Sequence, residues 1–300
     1  MKGHKSLRPA AYLISAIILA MVFGGSGLAK ESPDEIRVFV SILPQVYFVE
    51  KIAGEYAEVE PLVGPGQSPE TYEPTIRQMT RLAESHVYFR IGSPFEKRLL
   101  EKIEKAFEKL NIIDVREGIE LIYPDYGIDI DSTTAEPDPH VWLDPRNAII
   151  IAENIYRGLC ELDRDHCSEF EKNLQALKAD LQAVDKKLAE ILKPLRGGKF
   201  YVFHPAFGYF AERYGLEQVS IEVAGKEPSA RQLAEIIENA KKDGIRVIFA
   251  QRQFSKDNAE AVARAINGAV VQLDPLAPDY ISNLENLARE LAGGLSKNGQ

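Results

Sequence analysis

The chain has 300 residues, of which 45% are apolar and 27% charged, and its formal net charge is −9. That composition is ordinary for a globular protein. Its acidity argues against nucleic acid as a partner, since that role calls for a basic face.

Residues 1–29 read as a secretory signal peptide. Lys2, Lys5 and Arg8 open it, Ala10 to Phe23 is an almost unbroken apolar run, and Gly27-Leu28-Ala29 offers small residues for cleavage after Ala29. The run is short for a membrane span, an uncleaved anchor being the alternative. No cysteine stands near the cleavage point, so a lipid-modified terminus is not expected. Export would make the protein periplasmic. Cleavage takes away three positive charges and no acids, moving the formal −9 to −12. The roughly 270 residues that follow exceed one typical core and imply two domains.

Ile36 to Ile42 predicts a strand, rich in β-branched residues, and Val46 to Gly54 a helix. Further strands are predicted at Val59 to Val63, which stops at Gly64-Pro65-Gly66, at Val87 to Ile91 and at Ile112 to Val115. Charged helical stretches separate them, and this alternation predicts a mostly parallel sheet flanked by helices. From Arg164 to Pro194 the period changes. Phe170, Leu174, Leu177, Leu181, Val184, Leu188 and Ile191 recur at steps of four and three, one apolar face of a single helix. It would run about 45 Å. A coiled-coil dimer is one reading; a monomer with the helix packed along its own back is preferred. A second α/β run follows, with strands at Lys199 to Phe203, Val219 to Val223, Val247 to Ala250 and Val270 to Leu273. Ser255 is a plausible N-cap for a helix through Ala265. The expected fold is α/β: an N-terminal lobe over 30–162, a long rigid linking helix over 163–196 and a C-terminal lobe over 197–300. Cys160 and Cys167 face an oxidising compartment, and a bridge between them would clasp the turn before the long helix; two unpaired thiols are the alternative.

The run Asp138-Pro139-His140-Val141-Trp142-Leu143-Asp144-Pro145 holds the only Trp and one of five His. Neutral imidazole is the commonest protein ligand for transition metals, and flanking prolines stiffen the backbone that carries it. His204 stands in a similar setting before Pro205. Glu70, in the loop after Gly64-Pro65-Gly66, and Asp274, after the strand ending at Leu273, also sit where strands feed into loops. In open α/β sheets that is where ligands bind. Two imidazoles and two carboxylates suit Zn²⁺, Mn²⁺ or Fe²⁺. Each has a plainer reading: a structural histidine for His140 and His204, a solvated loop acid for Glu70, an Asp-Pro turn for Asp274. Glu73, Asp138 and Asp144 are rival carboxylates, His86 reads as structural, and His166 reads as lying on the exposed start of the long helix.

These runs resemble those of the metal-binding receptors of bacterial ABC importers for zinc and manganese, the ZnuA-like or cluster A-I solute-binding proteins. The resemblance extends from about Ile36 to the C-terminus. It is carried by Ser41-Ile42-Leu43-Pro44, Ile52-Ala53-Gly54, the loop from Gly64 to Pro74, Asp138 to Pro145, His204 to Phe210, Arg213 to Leu216, Glu227 to Leu233 and Leu273-Asp274-Pro275-Leu276. It implies two lobes on a rigid helix, with metal held between them by Glu70, His140, His204 and Asp274. It also implies delivery to a membrane permease driven by a separate ATPase, with no catalysis. The chain departs from the family pattern in having Glu70 where His is usual, which shifts expectation from Zn²⁺ towards Mn²⁺ or Fe²⁺. Gln251-Arg252-Gln253 replaces a usual Glu-Pro-Gln, so a carboxylate near the site is missing. The segment Tyr123 to Pro139 has the acids Asp125, Asp129, Asp131, Glu136 and Asp138 but no His. A secreted metallohydrolase using the same His and carboxylate set is the alternative function, and an adhesin or structural role a third. No His-Glu-x-x-His run or nucleophile elbow supports the enzyme.

Overall fold

β-branched and aromatic residues in short runs build two four-stranded parallel sheets in a computed structural model of the chain. The structure describes residues 35–123, 136–222, 226–254 and 257–297. The signal peptide, Asp125, Asp129, Asp131, the cap at Ser255 and the strand end at Val223 lie outside the described residues.

The first sheet consists of β1 (Ile36–Val40), β2 (Ala57–Pro61), β3 (Val87–Arg90) and β4 (Asn111–Asp114), in the order β2-β1-β3-β4. The crossovers carry α1 (Leu43–Ala53), α2 (Ile76–Ala83) and α3 (Pro94–Ile103). The second sheet consists of β5 (Lys199–Val202), β6 (Glu217–Ser220), β7 (Val247–Gln251) and β8 (Ala269–Leu273), in the order β6-β5-β7-β8. Its helices are α6 (Gly208–Tyr214), α7 (Ala230–Lys242) and α8 (Asp257–Ala265). All eight expected strands form, with ends shifted by up to three residues. The central strands β1, β3, β5 and β7 are largely buried, and the edge strands β2, β4, β6 and β8 are half-buried. In β5, Phe200 and Val202 join the large core while Tyr201 joins a smaller one beneath the opposite face, as strand alternation requires. In each sheet the chain goes to one side of its first strand and then to the other. This switch point opens a crevice at the strands' carboxyl ends.

Between the sheets run α4 (Pro145–Leu162) and α5 (Cys167–Leu192), and α9 (Tyr280–Leu295) closes the chain. The sequence reading did not mark out α4 or α9. At 26 residues, α5 spans about 39 Å, somewhat less than Arg164 to Pro194 suggested. Its stripe Phe170, Leu174, Leu177, Leu181, Val184 and Leu188 is buried against α1, α4 and α9, and at its end Leu192 is buried while the expected Ile191 is only half-buried. The apolar face is therefore used inside the protein, as preferred over a coiled-coil seam. Truncating a fully buried side chain such as Leu181 to alanine would cost about 2–5 kcal/mol. The corner before α5 is held by the Cys160–Cys167 disulfide, with Cα atoms 4.9 Å apart. There His166, expected on the exposed start of the long helix, is instead half-buried, stacking on Tyr56 at 4.0 Å and meeting Asp163 at 2.6 Å. Among the described residues no helix is long and apolar enough to cross a membrane.

Candidate metal centre

Three of the four expected site residues, Glu70, His204 and Asp274, stand on loops that follow strands. Glu70 lies on the loop after β2, which is braced by Gln67 at Gly64 and by the Thr75–Gln78 capping box of α2. His140 precedes a single 3₁₀ turn, Val141–Leu143, that leads through Asp144 into α4. His204 follows β5, and Asp274 follows β8.

Three of the four converge. Glu70, His140 and His204 each place a ligand atom within 4.8 Å of the others. The two Nε2 atoms are 3.4 Å apart, and Glu70 Oε1 is 3.6 Å from His204 Nε2. His140 and His204 are 8% and 7% exposed, so neither is a surface histidine. Asp274 is not in this group. Its Oδ1 accepts from Gln253 Nε2 at 2.9 Å and from the Leu276 N–H at 3.0 Å. Its carbonyl accepts from Asn283.

The imidazoles are aimed by carboxylates behind them. His140 Nδ1 lies 2.7 Å from Asp138 Oδ1, which also accepts the His140 backbone N–H. His204 Nδ1 lies 2.6 Å from Glu222 Oε2. A neutral ring that donates through Nδ1 leaves Nε2 as a lone pair. Two buried lone pairs thus face each other with a carboxylate beside them, an arrangement that a cation satisfies. Burial pulls the His140 pKa down, but the charge and hydrogen bond of Asp138, with the charge of Glu70, outweigh it and leave the group above its usual value of 6.5.

The packing around these carboxylates is close. A Cβ at Gly208 would stand 2.5 Å from Asp138 Oδ2, so any larger residue there has to push that carboxylate aside. Gln251 clamps the His204 backbone, accepting from its N–H and donating to its carbonyl. Phe254 stacks on the His204 ring at 4.6 Å. Gln251 stands where a carboxylate was expected and found missing. The carboxylate that orients His204 comes instead from Glu222, which the sequence reading did not single out. Its signal was an acid at the end of an apolar strand, which a buried position admits only if it is paired.

The loop bearing His140 is tied to the second sheet's lobe. Trp142 Nε1 donates to the Pro275 carbonyl at 2.9 Å, Tyr280 Oη donates to the Trp142 carbonyl, and Tyr209 Oη donates to the Asp138 carbonyl at 3.2 Å. The three clustered residues line two cavities. One of about 20 Å³ is walled also by Gln253, Phe254 and Pro275. The other, of about 670 Å³, carries Arg90, Lys97 and Arg116 on its wall. Each of these cations is matched by an acid, Asp114 for the arginines and Glu136 for the lysine.

Parallel sheets with imidazoles and carboxylates gathered at their strand ends, on a frame spanned by one long helix, define a metal-binding solute receptor of the ABC-importer kind. The chain belongs to the family described as zinc-uptake complex component A, periplasmic, which matches residues 38–294. The zinc-binding lipoprotein AdcA of Streptococcus pneumoniae serotype 4 is 31% identical over 291 residues, covering 93% of this chain and 56% of AdcA. The chain thus spans about half the length of that relative. The high-affinity zinc uptake system protein ZnuA of Bacillus subtilis is 27% identical over 293 residues, covering 93% of this chain and 89% of that protein. A crystal structure of ZnuA superposes with a TM-score of 0.82 at 40% identity, covering 87% of this chain and all of the other. The names of these relatives describe binding and uptake rather than catalysis.

Proposed function

We propose that this protein captures Zn²⁺ between its two lobes outside the cytoplasmic membrane and hands it to the permease of an ABC importer driven by a separate ATPase. Glu70, His140 and His204 hold the ion, and Asp274 braces Gln253 in the wall they share. The observation that carries this reading is the spacing of the three groups. Ligands about 2.1 Å from a tetrahedral zinc lie about 3.4 Å from one another, whereas the same bonds at right angles would bring them to about 3.0 Å. The nitrogens are 3.4 Å apart and the carboxylate oxygen is 3.6 Å from its neighbour. These spacings suit a small divalent ion, and the zinc named for the relatives favours Zn²⁺ over Mn²⁺ and Fe²⁺, despite the oxygen ligand at Glu70. Because the imidazoles must be neutral to bind, capture expels any proton they hold.

Metal analysis of protein purified without added metal, followed by competition between Zn²⁺ and Mn²⁺, tests the assignment. One equivalent of zinc, held against a large excess of Mn²⁺, is expected. His140→Ala and His204→Ala should each lower zinc affinity at least a hundredfold. Near-parental binding by either variant removes that residue from the ligand set.

A further inference from the structure

Gln253 stands in the wall of the 20 Å³ cavity that it shares with Glu70, His140 and His204, a space with room for about one water. Its amide nitrogen is committed to Asp274 Oδ1 at 2.9 Å. Its oxygen, Oε1, is buried and has no hydrogen-bond donor. Turning the amide over gives no relief, because the oxygen would then face the Asp274 carboxylate and the nitrogen would lose its acceptor. A buried carbonyl oxygen without a donor is destabilising, and native structures answer it with a partner or a water.

The clustered groups do not supply that donor. With Nδ1 of each imidazole turned to Asp138 or Glu222, the faces towards the cavity are lone pairs. Glu70 likewise offers an acceptor. A water carried on a divalent cation has the opposite character: its lone pair is given to the metal and its hydrogens are strongly polarised.

We propose that Gln253 sets the fourth coordination position. Its Oε1 accepts a hydrogen bond from a water bound to the ion, and Asp274 acts through Gln253 rather than by touching the metal. Asp274 is well placed for that part, because its own turn, through Leu276, and Asn283 fix it from behind. Gln253 is then a positioning residue, and the cargo is held by three protein ligands and one solvent molecule. This rests on the reading that Glu70, His140 and His204 hold the ion.

A double-mutant cycle on zinc affinity, measured by competition with a chromophoric chelator, tests it. Gln253→Leu should weaken binding roughly tenfold, within the range for groups that orient a metal's ligands. Asp274→Ala should cost about the same, and the double variant no more than either single change. Additive losses, or a loss for Asp274→Ala as large as that for His204→Ala, would make Asp274 a direct ligand and overturn the proposal. A crystal structure of the zinc-loaded parent provides a second readout that folding of the variants does not touch. A water bridging zinc and Gln253 Oε1 is expected; an Asp274–zinc bond refutes the idea. His204→Ala serves as the control for the site itself. If it binds zinc normally, the ligand assignment has failed; if it does not and the cycle is additive, only the role of Gln253 has.

Discussion

Removal of the carboxylate behind His204 is the sharpest test of how the site is built. Glu222 and His204 are both 8% exposed in their side chains and 2.6 Å apart, so neither water nor salt screens the pair. Glu222→Leu leaves Nδ1–H buried without an acceptor. The ring can respond by moving its proton to Nε2, the atom that must be bare to bind metal. A hydrogen bond to a charged group contributes about 1.5–3 kcal/mol. Loss of such a partner behind a metal-bound histidine typically lowers affinity 10–100-fold, or about 1.4–2.7 kcal/mol. The two estimates agree, so Glu222→Leu should bind zinc about a hundredfold more weakly. Glu222→Gln, which keeps an oxygen acceptor but no charge, should lose about tenfold. Zinc competition at constant pH gives both numbers, and a thermal melt of the metal-free proteins checks that they fold. If folded Glu222→Leu bound zinc within twofold of the parent, the histidine would not owe its orientation to this carboxylate.

Three further outcomes are expected. The raised pKa of His140 means that a proton competes for the ring at a higher pH than for a free histidine. Affinity should therefore begin to fall above pH ~6.5 as pH drops, by up to tenfold per unit for one displaced proton; Asp138→Asn removes the main raising influence, and an unmoved profile would discount it. Replacing Cys160 and Cys167 by serine opens a closed loop with a sequence separation of 7. On chain-entropy grounds this should lower stability by about 2.4 kcal/mol, read from urea unfolding. Gly208→Ala forces Asp138 aside and should weaken zinc binding while leaving the urea midpoint nearly unchanged; intact affinity would show that Asp138 has room to give.

The sequence carried the strands because their burial is local: β-branched runs such as Val247 to Ala250 declare themselves without reference to partners. The long helix was equally visible in its repeat of Leu174, Leu181 and Leu188, and its use as an internal spine followed from the polar faces around it. His140 and His204 could be singled out because proline-flanked histidines at strand ends are uncommon in a core. The pairing behind them could not. Glu222 is 18 residues from His204 and meets it only because β5 and β6 lie side by side. Asp138 was weighed as a rival ligand, yet its neighbour in sequence is the ring it orients. The attachment of His140 to the second lobe was also hidden, since it depends on Trp142 reaching Pro275 across 133 residues. Which way the Gln253 amide points is set by Asp274, a contact no local pattern encodes.

The stitching of Trp142 and Tyr280 gives the two halves of the molecule unequal shares in the grip. Any rocking of one sheet against the other carries both imidazoles along as a fixed jaw, because the His140 loop is fastened to the lobe that bears His204. The hydrogen bonds described for the Glu70 loop run instead to Gly64, Ser68 and Gln78, on its own side. On the proposed function, a few ångströms of drift there would detach a single oxygen and leave the nitrogen pair intact, so release of the ion would start from the Glu70 side.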